Sequence, residues 1–196
     1  MIDLSAHPVQ VAYDLADRYG LELKLSFSEY FYRPQAALDE RTTYFVPIVE
    51  ITPDWVAEKI RSLKPGWELA LNSKIIDPRN RISHIPMIDF FSADHPDTDS
   101  IAFNEIVGRE IANELTLFNS GRSFHAYSTT LLGKGDWIAF MGRLLLLNMP
   151  NLPQVVDTRW VGHRLVGGYS ALRWSANSSH HQRMPYLVRT RHHRRS

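Results

Sequence analysis

The 196-residue chain has no cysteine. Disulfides, thiolate zinc sites, iron–sulfur clusters and thiol nucleophiles are therefore excluded. Long apolar runs are missing as well. The longest candidate, Leu144-Leu145-Leu146-Leu147, is flanked by Arg143 and Asn148, far short of the roughly 20 residues that cross a bilayer. The start, Met-Ile-Asp-Leu-Ser, has neither the cationic residues nor the apolar stretch of a secretory signal. The expectation is a soluble, cytoplasmic protein with no membrane partner. Two catalytic signatures are also absent: no Gly-x-x-x-x-Gly-Lys-[Ser/Thr] phosphate loop and no Gly-x-Ser-x-Gly elbow occur. The pairs His180-His181 and His192-His193 are adjacent rather than spaced as metal ligands, so a histidine-based hydrolase is disfavoured.

One absence is local. No acidic residue follows Asp157, whereas eight arginines do. The overall charge of +1 thus divides into −7 up to Asp157 and +8 beyond it. An acidic body with a basic end suits a polyanionic partner. With 44% hydrophobic and 22% charged residues the composition is that of a globular chain. The length suits a single domain, here placed at residues 1–176 as two lobes, with 177–196 as a basic His/Arg-rich tail whose order is in doubt.

Helices and strands interleave. Residues 9–19 have apolar positions at helical spacing; 21–27 alternate as a half-buried strand; 42–51 are β-branched and aromatic, with Pro47 marking an edge or bulge. Thr52 caps a helix through Leu63. Residues 85–91 form a buried strand interrupted by Asp89, and Ile101 to Phe118 trace one face of a long amphipathic helix. Asn119-Ser120-Gly121 is a turn, 124–132 a strand, and Asp136 caps a helix over 137–147. Residues 154–157 and 172–175 read as short strands. The fold class is α+β or α/β.

Three segments carry chemistry. In Met87-Ile88-Asp89-Phe90-Phe91 an acid ends an apolar strand, a costly place unless it is paired, hydrogen-bonded or bound to metal. A turn-capping role is the plain explanation, and a hard-cation ligand such as Mg²⁺ or Mn²⁺ takes is the functional one. In Ser120-Gly121-Arg122-Ser123-Phe124-His125-Ala126-Tyr127 the turn offers hydroxyl, guanidinium and backbone donors to an anion. Alternation there turns His125 away from Phe124 and Ala126, into a cleft. In Val155-Val156-Asp157 the strand-terminal acid recurs, followed by Arg164 and Arg173, planar forks suited to phosphate. Trp160, Tyr169 and Trp174 are interleaved with Arg159, Arg164 and Arg173 and suit either core packing or base stacking.

The order of these segments resembles the archaeo-eukaryotic primase superfamily, which includes the primase-polymerases. That pattern runs from a strand ending in Asp-x-Asp or Asp-x-Glu, through a Ser-x-His motif within Ser-Gly-Arg-…-His, to a third strand ending in Asp. The resemblance covers residues 85–175, nearly half the chain. It implies an α+β primase-polymerase-like core: an N-terminal α/β unit packed on an RRM-like catalytic lobe, with the active-site cleft between them. It also implies a divalent cation, Mg²⁺ or Mn²⁺, nucleoside triphosphates, and a single-stranded or template-primer nucleic acid. Asp89 and Asp157 match the metal-binding acids. Ser120, Arg122, Ser123 and His125 match the residues that contact the incoming triphosphate, with Arg164 and Arg173 beside them.

The match departs in one respect: Phe91 stands where the second carboxylate of the first motif belongs. Two-metal phosphoryl transfer needs ligands for both ions. Asp94 supplies the missing group if the strand ends in a bulge; otherwise it is a solvated turn residue. Two functions follow: a metal-dependent nucleotidyltransferase, with Asp89, Asp157 and His125 catalytic, or a catalytically degenerate relative that binds nucleotide or nucleic acid as a sensor or subunit of a larger protein assembly.

Overall fold

The computed structural model describes residues 3–33, 36, 40–181 and 183–190. The first lobe opens with helix α1 (Val9–Tyr19), whose buried face is Val9, Val11, Ala12 and Leu15. Strands β1 (Lys24–Phe31) and β2 (Arg41–Pro47) pair antiparallel, and Pro47 ends β2 at the sheet edge, where a missing N–H costs nothing. Helix α2 (Pro53–Ser62) starts on the Thr52 hydroxyl, which accepts from the Trp55 amide at 3.2 Å. Strand β3 (Trp67–Ile76) pairs with β1 along one edge. Its other edge is shared by β4 (Ile82–His84) and, late in the chain, β8 (Ala171–Arg173).

The second lobe begins at β5 (Met87–Asp89). Two short helices follow, α3 (Ile101–Val107) and α4 (Arg109–Asn113), then the hairpin β6 (Leu115–Asn119) and β7 (Phe124–Ser128). Helix α5 (Lys134–Leu144) leads to an isolated bridge that pairs Phe90 with Val156. The unit is therefore strand–helix–strand–strand–helix–strand, with Val156 beside β5, then β7, then β6. That is the arrangement of an RRM-like lobe. Helix α6 (Thr158–Gly167) leads back to the first sheet through β8, and β9 (Tyr186–Thr190) then pairs with β6. Among the described residues no helix is long and apolar enough to cross a membrane.

The second sheet separates two cores. Ile88, Leu117, Phe124 and Ala126 pack toward α3, α4 and α5, while Met87, Phe118 and Tyr127 pack toward the first sheet, α1 and α2. Period-two alternation makes this division. The face turned to the first sheet is apolar along Met87 and Tyr127 and polar at Asp89 and His125. The cleft opens where that apolar packing stops.

The structure departs from the sequence expectations at several elements. The single long helix over 101–118 is instead two short helices and a strand. Gly108, at φ +97°, breaks the helix, and Leu-Thr-Leu-Phe alternates between the two cores as a strand. Asp136 lies inside the first turn of α5 rather than capping it, because the helix starts at Lys134. The strand expected over 154–157 reduces to the bridge at Val156, and Asp157 passes directly into α6. Part of the segment read as a tail is built into the fold: 177–181 fold against β3 and Tyr186–Thr190 is a strand. Residues 191–196, with the pair His192-His193, lie outside the described residues.

Candidate active-site cleft

The register across the second sheet sets the centre of the site. Asp89 and His125 are direct cross-strand partners. The Phe90–Val156 bridge, with the Asp157 amide donating to the Asp89 carbonyl at 3.0 Å, sets Asp157 opposite Asp89 on the other side. Asp157, Asp89 and His125 therefore stand side by side on one face. His125 Nε2 lies 3.7 Å from Asp89 Oδ1.

Asp89 and His125 are perturbed by their surroundings. Burial, and then the charge of Asp157, pushes the Asp89 carboxyl up to about 8, against the opposing pull of Arg173 and Arg164. Burial, reinforced by Arg173 and His181, holds His125 well below the usual imidazole range, so it is neutral near pH 7. Its Nδ1 is buried and has no hydrogen-bond partner among the described residues. A buried polar atom left open costs about 1–3 kcal/mol, and such an atom at a cleft marks a place for a ligand group. Asp157 spends one oxygen locally: Oδ1 accepts from the Arg159 and Trp160 amides at 2.8 and 3.0 Å, capping α6.

These side chains line a cavity of about 850 Å³ between the lobes. Ser120, Arg122, Ser123, Arg164 and Arg173 line it too, so the cavity gathers residues from all three motifs. In the β6–β7 turn, Gly121 adopts φ +103° and the Ser120 and Ser123 hydroxyls lie 3.1 Å apart. Arg122 is exposed beside them. Arg164 is buried on α6 with its guanidinium 5.9 Å from the Tyr169 ring. Arg173 is buried and committed to the backbone, donating to the carbonyls of Ser120, Ser175 and Arg183. It ties β8 to the β6–β7 turn rather than offering an open fork. Asp94 is elsewhere: it is exposed, bonded to Ser92 in a local turn, and absent from the lining. Phe91 lines the cavity at 56% exposure, its amide fixed on the Val155 carbonyl at 2.9 Å.

Among the described residues, seven arginines line the cavity against two carboxylates. Arg33, Arg41 and Arg183 join the four arginines already named, Arg159 among them, and Tyr30, Tyr32 and Trp160 add aromatic surface. Sequence reading missed the contributions of Arg33, Arg41, Tyr30 and Tyr32, which belong to β1, β2 and their connection and carry no motif. It also missed Glu68 and His181. Glu68 is fully buried, accepts from the Ser175 hydroxyl, the Asn177 and Ser178 amides and His181 Nδ1, and is held down to about 2 by these donors against the effect of burial.

The donor set has a definite metal chemistry. Two facing carboxylates, one with an oxygen already used, fit a single hard cation that keeps most of its water. Among the described residues no group of three or more His, Asp or Glu is placed to hold an ion, so the set does not fit two.

An RRM-like lobe closed against an antiparallel sheet, with strand-end acids facing an arginine-lined cleft, defines the class of the primase-polymerase fold. Within that class the chain belongs to the archaeo-eukaryotic primases. The family model described as AEP-like, archaeo-eukaryotic primase 1D-like, matches residues 47–186. No curated protein and no solved structure matches the chain. Membership carries, at the level of the family, a primase or nucleotidyltransferase type of function.

Proposed function

We propose that the chain is a primase-polymerase-like nucleotidyltransferase that joins a nucleoside monophosphate, from an NTP or dNTP, to the 3′ hydroxyl of a nucleic-acid strand. The observation that carries this reading is the row of Asp157, Asp89 and His125 facing a cavity lined by arginine. Ser120, Arg122, Ser123 and Arg164 hold the triphosphate, and neutral His125 donates a ring N–H to it. Arg173 keeps the β6–β7 turn in position. Asp89 and Asp157 would hold Mg²⁺ or Mn²⁺, which when bound would neutralise phosphate charge. The 3′ oxygen bonds to the α-phosphorus as the bond to the bridging oxygen breaks. Pyrophosphate leaves, and the hydroxyl proton passes to water. Rate comes from positioning and charge neutralisation rather than from a protein base.

Asp157 has two duties, so its test uses two variants. Asn is a good N-cap, whereas Ala forfeits about 1 kcal/mol of capping. Asp157→Asn should retain the wild-type melting temperature and lose metal-dependent incorporation of labelled nucleotide by at least a hundredfold. Asp157→Ala should lose both. Incorporation at an undiminished rate in Asp157→Asn overturns the mechanism.

Phe91 supports a second reading, in which the cleft binds nucleotide or nucleic acid without turnover, as a sensor or subunit. An exposed phenyl ring stands where the family pattern has its second carboxylate, and it offers a base a stacking face. Template-directed synthesis by the wild-type protein would dismiss this alternative.

A further inference from the structure

A second pair of ionisable groups, outside the three motifs, lies at the cavity, with His181 in its wall and Glu68 buried behind it. His181 Nδ1 lies 2.9 Å from Glu68 Oε1 and also 2.9 Å from the Ser178 hydroxyl. Glu68 is fully buried and its carboxylate is surrounded by donors, so it is ionised. A carboxylate at Nδ1 fixes the proton on that nitrogen and leaves Nε2 with a lone pair. The His181 side chain is 16% exposed and lines the cavity. With Nδ1 turned into the protein, the exposed edge is the one bearing Nε2. The Tyr32 ring packs 4.5 Å away, centre to centre, and holds the imidazole plane.

An acceptor is out of character with its surroundings. The neighbouring arginines and the serine turn offer donors, which suit phosphate. A lone pair repels phosphate oxygen and instead selects a ligand group that carries hydrogen. On a nucleotide those groups are the sugar hydroxyls, the exocyclic amines and the ring N–H of guanine and uracil, and only the hydroxyls are shared by every nucleotide. We propose that His181, oriented by Glu68, is a specificity-determining residue of the nucleotide site that accepts a hydrogen bond from a sugar hydroxyl. This inference rests on the nucleotide-binding reading above and adds to it the means of telling one sugar from another.

The test is equilibrium binding of ATP, its 2′-deoxy and 3′-deoxy analogues, GTP, CTP, UTP and inorganic triphosphate to the full chain. The wild type should bind one deoxy analogue about five- to tenfold more weakly than ATP, the effect of one hydrogen bond, and should not rank the four bases. His181→Ala should erase the sugar preference while changing inorganic triphosphate binding less than twofold. In Glu68→Gln, checked for folding by its melting curve, the Asn177 and Ser178 amides hold the carboxamide oxygen where Oε1 stood, so Nδ1 still donates to it. Sugar preference should survive there, and ¹⁵N shifts of the ring should report the same Nδ1-protonated tautomer as in the wild type. An Nε2-protonated ring in the wild type overturns the proposal. So does sugar preference that survives His181→Ala, an equal loss for all ligands including triphosphate, or ranking by base instead of sugar. Wild-type protein that binds nucleotide without any sugar preference defeats this inference alone, whereas wild-type protein that binds no nucleotide defeats the underlying reading as well.

Discussion

Asp89 and the buried histidines respond to pH in opposite senses. His7 is fixed neutral by the backbone: its Nδ1 accepts from the Val9 amide at 3.0 Å, and Nε2 donates to the Trp174 carbonyl at 2.7 Å. Burial holds it down to about 4. His84, stacked 4.7 Å from the Trp137 ring, is likewise held down to about 4 by burial and then by Lys74 and Lys134, and His125 falls well below the usual range. For each, the unfolded chain takes up a proton near pH 6.5 that the folded chain refuses, so stability is present above 6.5 and is lost as pH falls toward 4. Asp89, raised to about 8, works the other way. Its folded form favours the protonated carboxyl, so stability falls as pH rises from 3.8 to 8. Three histidines outweigh one acid below 6.5, and only the acid acts between 6.5 and 8. Urea unfolding in EDTA should therefore show maximum stability near pH 6.5, with a steep acid limb and a shallow alkaline one. Excess Mg²⁺ should lift the alkaline limb. A midpoint unchanged between pH 7 and 4.5 would contradict this assignment.

Elements whose pattern is local were legible in the sequence, and those decided by tertiary pairing were not. Helix α1 matches its expected span because its apolar face is complete within eleven residues. Thr52 caps α2 as read, because its hydroxyl reaches an amide three residues away. Strand β3 was not recognised at all: it is buried at seven of its ten positions, Glu68, Asn72 and Ser73 among them, so no apolar–polar alternation marks it. The helix expected over 101–118 failed at Gly108, whose φ of +97° with ψ of 127° ends α3. A Cβ at Gly108 would meet only Ile111 Cδ1, at 4.0 Å, so the constraint there is conformational rather than steric. Gly108→Ala should cost about 1–3 kcal/mol through backbone strain, read from the urea midpoint. A gain in stability would mean that α3 and α4 can fuse into the continuous helix that the sequence pattern suggested.

Across the whole molecule, the site arises from two returns of the chain. After α6, β8 rejoins the first sheet and β9 completes the second, so the basic end is woven through both lobes. Sequence order was enough to group Asp89, the serine–arginine turn and Asp157 as candidates, because each lies on or beside one sheet in a short motif. It could not find Glu68 and His181, which are separated by 113 residues and meet only through this return. The same return explains the charge division at Asp157. Arg159, Arg164, Arg173 and Arg183 follow that acid and line the cavity, while Arg33 and Arg41 reach it from the first sheet. Their roles differ, since Arg173 is buried and occupied by backbone carbonyls whereas Arg122 and Arg159 are exposed at the cavity, Arg159 with one amino group on the Ala36 carbonyl at 3.1 Å. Each exposed arginine that meets a phosphate of a single strand releases counterions worth about 0.7 in the slope of log K against log salt. Arg122→Gln and Arg159→Gln should each weaken oligonucleotide binding at low salt, flatten that slope by about 0.7, and leave the melting temperature unchanged. Titrations of a fluorescent single strand over a range of salt concentrations measure both. A slope equal to the wild type's in both variants would place the strand outside this cleft.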